Sequence, residues 1–385
     1  MDLDSFFVSV EVLRHPELKG KPIIIGGSGD RGVVASCSYE ARKFGVHSAM
    51  SSKMARRLCP HAIWIRGDME EYSRQSQLVR QIIDDKAPVF EQASIDEFYL
   101  DVSGMDKFFG CYKWTKELRQ TVIKESGLPI SFGLSINKTV SKIATGESKP
   151  DGQLQIEYGT EKAFLAPLPV EKIPMIGRKT AEQLHQVGIV DVRTLSVMPV
   201  KILESMFGKS GIILWQKANA IDNTPIEPYS ERKSISTETT FEADTIDIKM
   251  LKATLLKMVE ELAFNLRQEN FLTGCLTVKI KYSNFDTETK QCSFAYTSSD
   301  ATLMEKVTEL FDKLYNKRML IRLIGVRLSN LVHGNYQISL FDNPKKTIHL
   351  YEAMDKIRNK YGADAVQRAI GKDLGRNNKD KKDDE

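Results

Sequence analysis

Two short acidic runs carry the residues of this chain best suited to chemistry: Asp2-Leu3-Asp4-Ser5-Phe6-Phe7 and, far along the sequence, Ser94-Ile95-Asp96-Glu97. In each, carboxylates interrupt residues otherwise fit for a buried strand. Carboxylates gathered on strands repel one another unless a cation or a basic partner offsets them. Brought side by side, the two runs would form a cradle of hard oxygen donors, and Asp2, Asp96 and Glu97 with the Leu3 carbonyl suit Mg²⁺. Phosphoryl transfer from a nucleotide needs two such ions, one to lower the pKa of the attacking hydroxyl and one to gather the triphosphate and the leaving pyrophosphate. Either run alone reads more readily as surface or capping carboxylates, so their joint context carries the argument.

A triphosphate also needs cationic and hydrogen-bonding partners. In Ser38-Tyr39-Glu40-Ala41-Arg42-Lys43, Tyr39 and Arg42 stand three apart and share one helix face. Lys149, before Pro150-Asp151-Gly152, gives a third donor, while Glu40 and Lys43 read as solvated charges. Val170 through Ala181 reads as helix, tight turn, helix, and a similar turn recurs at Phe207-Gly208-Lys209-Ser210-Gly211. Such turns can aim backbone N–H groups at a phosphate, with Arg178, Lys179 and Lys209 adding charge. A hairpin that serves only packing is the equal alternative.

The elements that must position these groups follow from periodicity. Strands are expected at Lys21 to Gly27 and Gly32 to Ser36, and helices at Tyr39 to Phe44 and Ser51 to Leu58, making residues 11–66 a small glycine-punctuated subdomain. A helix over 69–86, a strand–turn–strand over 89–100, a helix over 114–125, a strand over 130–136 and a helix opening at Thr139 predict one α/β layer on a mixed sheet. Residues 166–222 read as short helices, and 224–238 as an exposed tether. Then strand (236–242), helix (247–268), strands (275–283, 290–297), helix (301–317) and strand (321–330) give a two-layer βαββαβ domain of the ferredoxin-like type. Leu276, Val278, Ile280 and Tyr282 alternate with Thr277, Lys279 and Lys281, leaving a basic face suited to a phosphate backbone. The end carries a helix near 351–361 and a charged tail that reads as disordered.

Composition narrows the class. At 385 residues two to four domains are expected, and 41% apolar with 28% charged residues is ordinary for a soluble chain. A net charge of +4 is too mild to name a polyanionic partner. Five cysteines without a CxxC pair argue for a reducing, cytoplasmic setting. No run approaches the roughly 20 apolar residues needed to span a bilayer, and Asp2 and Asp4 sit where a signal peptide would be basic. Six histidines without HxH or HExxH spacing leave little case for zinc.

Four ordered stretches resemble the Y-family, translesion-type DNA polymerases, especially the bacterial DNA polymerase IV branch. Asp2 to Glu11 is similar to the first catalytic motif, Ser38 to Ser51 to the nucleotide-binding fingers motif, Gln92 to Ser103 to the second catalytic motif, and Phe132 to Gly152 to the helix-lysine motif that closes the palm. The resemblance implies a right-hand α/β multidomain polymerase with the palm at 1–10 and 67–165, small fingers at 11–66, a helical thumb at 166–230 and a βαββαβ little finger at 231–335. It implies that Asp2 and Asp96 bind both Mg²⁺ ions, that Glu97 binds the one at the primer 3′-hydroxyl, and that Tyr39, Arg42 and Lys149 hold the dNTP. Phe7 would be the steric gate against a ribose 2′-hydroxyl, and Val33, Val34, Ala35 and Ser36 a small-residue roof over the nascent base pair. A loose roof and the absence of a proofreading domain imply low fidelity and low processivity. Primer-template DNA would be held mainly through its backbone, by Arg178, Lys179, Lys209, Lys279 and Lys281. Gln337-Ile338-Ser339-Leu340-Phe341 resembles the sliding-clamp binding peptide, with Gln337, Leu340 and Phe341 as its contacts, in a chain expected to be monomeric.

Three departures from the family stand out. Met1 adjoins Asp2, so either the recorded start is late or the first metal ligand sits on a frayed end. Met175 replaces a customary glycine in the first hairpin, implying a weaker hold on DNA, and residues 342–385 extend past the clamp peptide. Two rivals follow: a metal-dependent nuclease or phosphatase, which leaves Phe7 and the triphosphate trio unexplained, and a catalytically impaired adaptor binding DNA and clamp.

Overall fold

The structure, a computed structural model, describes residues 1–27, 29, 31–107, 110–229, 231–334, 344–362 and 365–366. The chain divides into two compact units, Met1–Ser230 and Glu231–Glu385. The expected clamp contacts Gln337, Leu340 and Phe341 lie outside the described residues.

The first unit opens with β1 (Asp2–Leu3), α1 (Phe6–Arg14), β2 (Ile23–Gly26), β3 (Val34–Cys37), α2 (Tyr39–Arg42), α3 (Ser52–Leu58) and β4 (Ile63–Ile65). It continues through α4 (Met69–Asp84), β5 (Val89–Gln92), β6 (Phe98–Asp101), α5 (Cys111–Ser126), β7 (Ile130–Leu134), α6 (Lys138–Ser148) and β8 (Gln153–Gln155). The small helices α7 (Glu161–Leu165), α8 (Arg178–Gln186), α9 (Val192–Val197), α10 (Val200–Phe207) and α11 (Lys209–Ala218) complete it. Strand β1 is only two residues long, yet it is not frayed. It pairs antiparallel with β7, Asp2 opposite Ser131 and Leu3 opposite Ile130. On its other edge Phe98 N–H donates to Met1 O and Leu3 N–H to Asp96 O, both at 2.9 Å. Side chains below lock it in place, for Leu3, Phe6, Val10, Phe98, Leu118 and Ile130 share one buried cluster. The mixed sheet is as expected: β7 pairs antiparallel with β1 and parallel with β8.

Strands β3-β2-β4 form a separate small sheet over a core of Ile24, Val34, Cys37 and Ala41. Gly32 is required there, because a Cβ would lie 2.1 Å from the Gly27 carbonyl oxygen. The first helical hairpin differs from expectation: its leading arm, Val170–Lys172, is a 3₁₀ turn rather than an α-helix. Pro169 and Pro174 bracket that arm and leave it no room for a full α-turn. The residues leading into the expected tether, and Glu227 within it, are fastened rather than free. Asn137 Nδ2 donates to Ala220 O at 2.8 Å, Thr139 Oγ1 to Asp222 at 2.6 Å, and the Glu227 N–H to Glu91 at 2.7 Å.

The second unit runs β9 (Ser234–Thr245), α12 (Ile248–Gln268), β10 (Phe271–Tyr282), β11 (Thr287–Thr297), α13 (Asp300–Leu314), β12 (Ile321–His333) and α14 (Pro344–Tyr361). Its first six elements follow the expected βαββαβ order. The antiparallel sheet order β11-β10-β12-β9 puts the second and fourth strands at the centre, whereas a ferredoxin-like sheet centres the first and third. Element order along a chain does not say beside which strand a crossover returns, so the sequence leaves this open. Leu276, Val278, Ile280 and Tyr282 are buried under α12 and α13, with Lys279 and Lys281 on the opposite face. Helix α14 is tied to α12 and α13 by polar contacts. Arg267 bonds both Asp300 and Asp355, and the buried Tyr351 hydroxyl accepts from the Ala301 N–H at 3.2 Å.

Candidate active site

The two acidic runs meet. Asp2 faces Glu97 in an antiparallel bridge that joins β1 to the turn before β6, and the Leu3–Asp96 backbone bond fixes the register. Asp4, two residues on, also lies near Lys149, 3.6 Å from its Nζ, but has further partners of its own. It is buried, accepts from the Ser131 hydroxyl at 2.9 Å and from the Asp151 N–H at 2.7 Å, and so holds the sheet together. The run thus divides labour between Asp2 and Asp4.

Two lysines complete the electrostatics. Lys149 Nζ bonds Asp2 Oδ1 and donates to Leu3 O at 3.0 Å; Lys142 Nζ donates to both Glu97 carboxylate oxygens at 2.6 and 2.5 Å. Burial pushes the Asp2 carboxyl above its ordinary range; Lys149 opposes this, while Asp96 and Glu97 reinforce it. For Glu97 burial acts in the same sense, but hydrogen bonds from Lys142 and Tyr99 outweigh it and hold the carboxyl below the usual range. Asp96 is bonded by the Ser94 hydroxyl at 2.6 Å. The sequence motifs pass over Lys142, which stands on α6 while Lys149 follows the end of that helix in extended backbone. A cavity of about 470 Å³ opens beside this cluster, lined by Asp2, Glu97, Ser103, Lys138, Lys142 and Asp222.

These donors fit a hard divalent ion in kind. Ammonium groups already stand against Asp2, the Leu3 carbonyl and Glu97, so the site attracts cations at the atoms expected to ligate Mg²⁺. Among the described residues, no three His, Cys, Asp or Glu side chains converge closely enough to form a ready-made cage.

Around the carboxylates, Arg42 lies 4.7 Å over the Tyr39 ring, as their three-residue spacing requires. Burial, first, and Asp4 push the Tyr39 phenol up to about 12, with Arg42 and the Ser5 hydroxyl opposing. Phe7 is half-buried at the second position of α1 and rests on Tyr72. The expected roof needs correction. Side chains alternate, so Val33 and Ala35 are exposed while Val34 and Ser36 are buried within the small subdomain. Only the first pair presents its side chains at the surface.

The expected phosphate contacts are dispersed. Arg178, Lys179 and Lys209 are exposed at the starts of α8 and α11, and Arg178 Nε bonds Glu182 at 2.8 Å. Met175, in the first hairpin, has φ 82°, the left-handed region that favours glycine, and its side chain is exposed. In the second unit Lys279 bonds Glu238 at 2.8 Å, and Lys281 Nζ lies 5.1 Å over the Phe285 ring.

Residues 1–146 match the impB/mucB/samB family, 158–189 the IMS family HHH motif, and 232–340 the impB/mucB/samB family C-terminal domain. A DNA polymerase IV of Dehalococcoides mccartyi is 38% identical over 371 residues, covering 95% of both chains. A DNA polymerase IV of Treponema denticola is 37% identical over 375 residues, covering 96% of this chain and 95% of its own. Among solved structures, a Y-family DNA polymerase chimera of Dbh and Dpo4 aligns with a TM-score of 0.76 at 29% identity, covering 86% of this chain and 98% of its own.

Proposed function

Because the chain belongs to the Y-family DNA polymerases of the impB/mucB/samB, DNA polymerase IV type, we propose that Asp2, Asp96 and Glu97 form the centre at which a dNTP is joined to a primer 3′-hydroxyl. The activity is template-directed, low-fidelity translesion DNA synthesis. The primer oxygen attacks the α-phosphorus, a new P–O bond forms, the α–β bridging bond breaks and pyrophosphate leaves. The observation that carries the assignment is the Asp2–Glu97 bridge with its Leu3–Asp96 hydrogen bond. It makes one acidic surface from two distant runs.

Bound between these carboxylates and the Leu3 carbonyl, two Mg²⁺ ions would supply a lowered pKa for the attacking hydroxyl and neutralise charge on the triphosphate. The chain's own residues do the rest. Lys149 leaves Asp2 for a triphosphate oxygen, and Lys142 releases Glu97 toward the primer end. Tyr39 and Arg42 clamp the outer phosphates. Phe7 lies beneath the deoxyribose, where a 2′-hydroxyl would clash or be buried without a partner. Val33 and Ala35 cover the base pair with little bulk, which relaxes geometric selection.

In this reading residues 11–66 are the fingers, 1–10 and 67–165 the palm, 166–230 the thumb and 231–335 the little finger. Arg178, Lys179, Lys209, Lys279 and Lys281 neutralise backbone phosphates, so affinity for primer-template falls with salt. Gln337, Leu340 and Phe341 dock on a bacterial sliding clamp. Among the described residues no helix is long and apolar enough to cross a membrane. The adaptor alternative needs a frayed first strand, and the pairing of β1 on both edges removes that support. The test is incorporation on an undamaged primer-template with Mg²⁺: extension that requires dNTP supports the assignment, and phosphodiester cleavage without extension would favour the nuclease rival.

A further inference from the structure

Ser5 occupies the start of α1 in a manner that the helix itself does not require. A serine at this position normally has extended backbone, and its hydroxyl accepts a first-turn N–H. Ser5 instead lies in the left-handed region, φ 42° and ψ 49°, and makes no side-chain cap. Its residue is 7% exposed, and its Oγ is buried without a hydrogen-bond partner among the described residues. The Tyr39 hydroxyl is buried and unpartnered as well. The two groups are neighbours, since the Ser5 hydroxyl is close enough to oppose the rise in the Tyr39 pKa. Neither reaches normal hydrogen-bond geometry with the other.

Two adjacent buried hydroxyls without partners, one on a backbone that serine disfavours, are costly for a folded protein to keep. Beside them lie the first-turn amides of α1, which have no acceptor within the helix, and the Arg42 guanidinium. The hydroxyls, amides and guanidinium can all donate, and two carboxylates, Asp2 and Asp4, stand nearby. The nearby carboxylates are already matched, Asp2 by Lys149 and Asp4 by Ser131 and the Asp151 N–H. The missing element is therefore a group that accepts several hydrogen bonds and carries negative charge, as a phosphate does.

We propose that the Ser5 hydroxyl is a donor to the triphosphate of the incoming nucleotide, acting with the Tyr39 hydroxyl, and that the left-handed turn at Ser5 exists to place it there. This assignment rests on the polymerase reading of the cleft. It makes Ser5 a nucleotide-binding residue whose conformation trades stability for affinity.

The full chain and its Ser5→Ala and Ser5→Gly variants test this in two measurements. The first is binding of a non-hydrolysable dNTP analogue to protein on a dideoxy-terminated primer-template; the second is thermal unfolding of the free protein. Ser5→Ala should weaken analogue binding roughly tenfold to a hundredfold, with the kinetic loss falling on KM more than kcat, and should melt no lower than wild type. Ser5→Gly should show a similar binding loss and melt higher than Ser5→Ala, because it also relieves the turn. Analogue binding by Ser5→Ala equal to wild type overturns the assignment. So does a melting temperature several degrees below wild type with affinity unchanged, which is the behaviour of a structural hydroxyl. Wild-type protein that fails to bind the analogue at all would overturn the polymerase reading together with this one.

Discussion

Phe7 lies ring on ring with Tyr72, 4.4 Å between centroids and 13° between planes. Tyr72 is fully buried, and its hydroxyl donates to the buried Glu11 carboxylate at 2.6 Å, so the surface beneath Phe7 is held from turning. A ring so braced is held in place, as the proposed gate requires. Phe7→Ala should raise ribonucleotide incorporation relative to deoxynucleotide by roughly a hundredfold or more, measured as the ratio of kcat/KM values for matched nucleotides. An unchanged ratio would remove Phe7 as the gate.

Arg267 joins three elements of the second unit. Its guanidinium bonds Asp300 at 2.6 Å and Asp355 at 2.6 and 2.9 Å, with all three side chains almost fully buried. Arg267→Ala leaves Asp300 buried without its cation and Asp355 with only Arg358, 3.8 Å away. Urea unfolding of the full chain should show a loss of about 3–5 kcal/mol in the transition that reports this unit. A loss below about 1 kcal/mol, the value of an exposed pair, would show that α14 is not held through this arginine.

Asp222 gives a pH signature. Burial opposes its charge, but hydrogen bonds from Thr139 and Thr224, with Lys217 nearby, outweigh burial and hold its pKa at about 2 against an ordinary 3.8. A carboxyl with a depressed folded pKa stabilises the fold above its unfolded pKa and loses that contribution as pH falls through the folded value. Asp222→Asn should therefore melt below wild type at neutral pH, and the gap should close between about pH 4 and pH 2. A gap independent of pH would mean that packing, not charge, fastens the segment after α11.

The peptide Gln337 to Phe341 is tested by function. Replacing Leu340 and Phe341 with alanine should lower clamp-stimulated synthesis on long templates and leave synthesis without clamp as it is in the wild type. Equal stimulation of both proteins would remove the tether from the account.

Features set by local periodicity are legible in the sequence. The alternation through Leu276 to Tyr282 gives the correct buried face of β10, and the spacing of Tyr39 and Arg42 gives their contact. Features set by pairing at a distance are not. Strand β1 is two residues long and owes its position to Ser131, Ile130 and Phe98, none near it in sequence. A roof of four consecutive residues conflicts with strand alternation, which turns Val34 and Ser36 inward. Lys142 and Arg267 resemble ordinary solvated charges in the sequence. Only the carboxylates opposite them, brought in from other elements, give each its role.

The central claim is that Asp2, Asp96 and Glu97 act as one centre on nucleotide at a primer end. Single-turnover extension by Asp2→Asn and Glu97→Gln, at saturating primer-template and with DNA affinity measured in parallel, tests it most directly. The account predicts rates lower by on the order of a thousandfold with DNA binding retained; wild-type extension rates in either variant would contradict it.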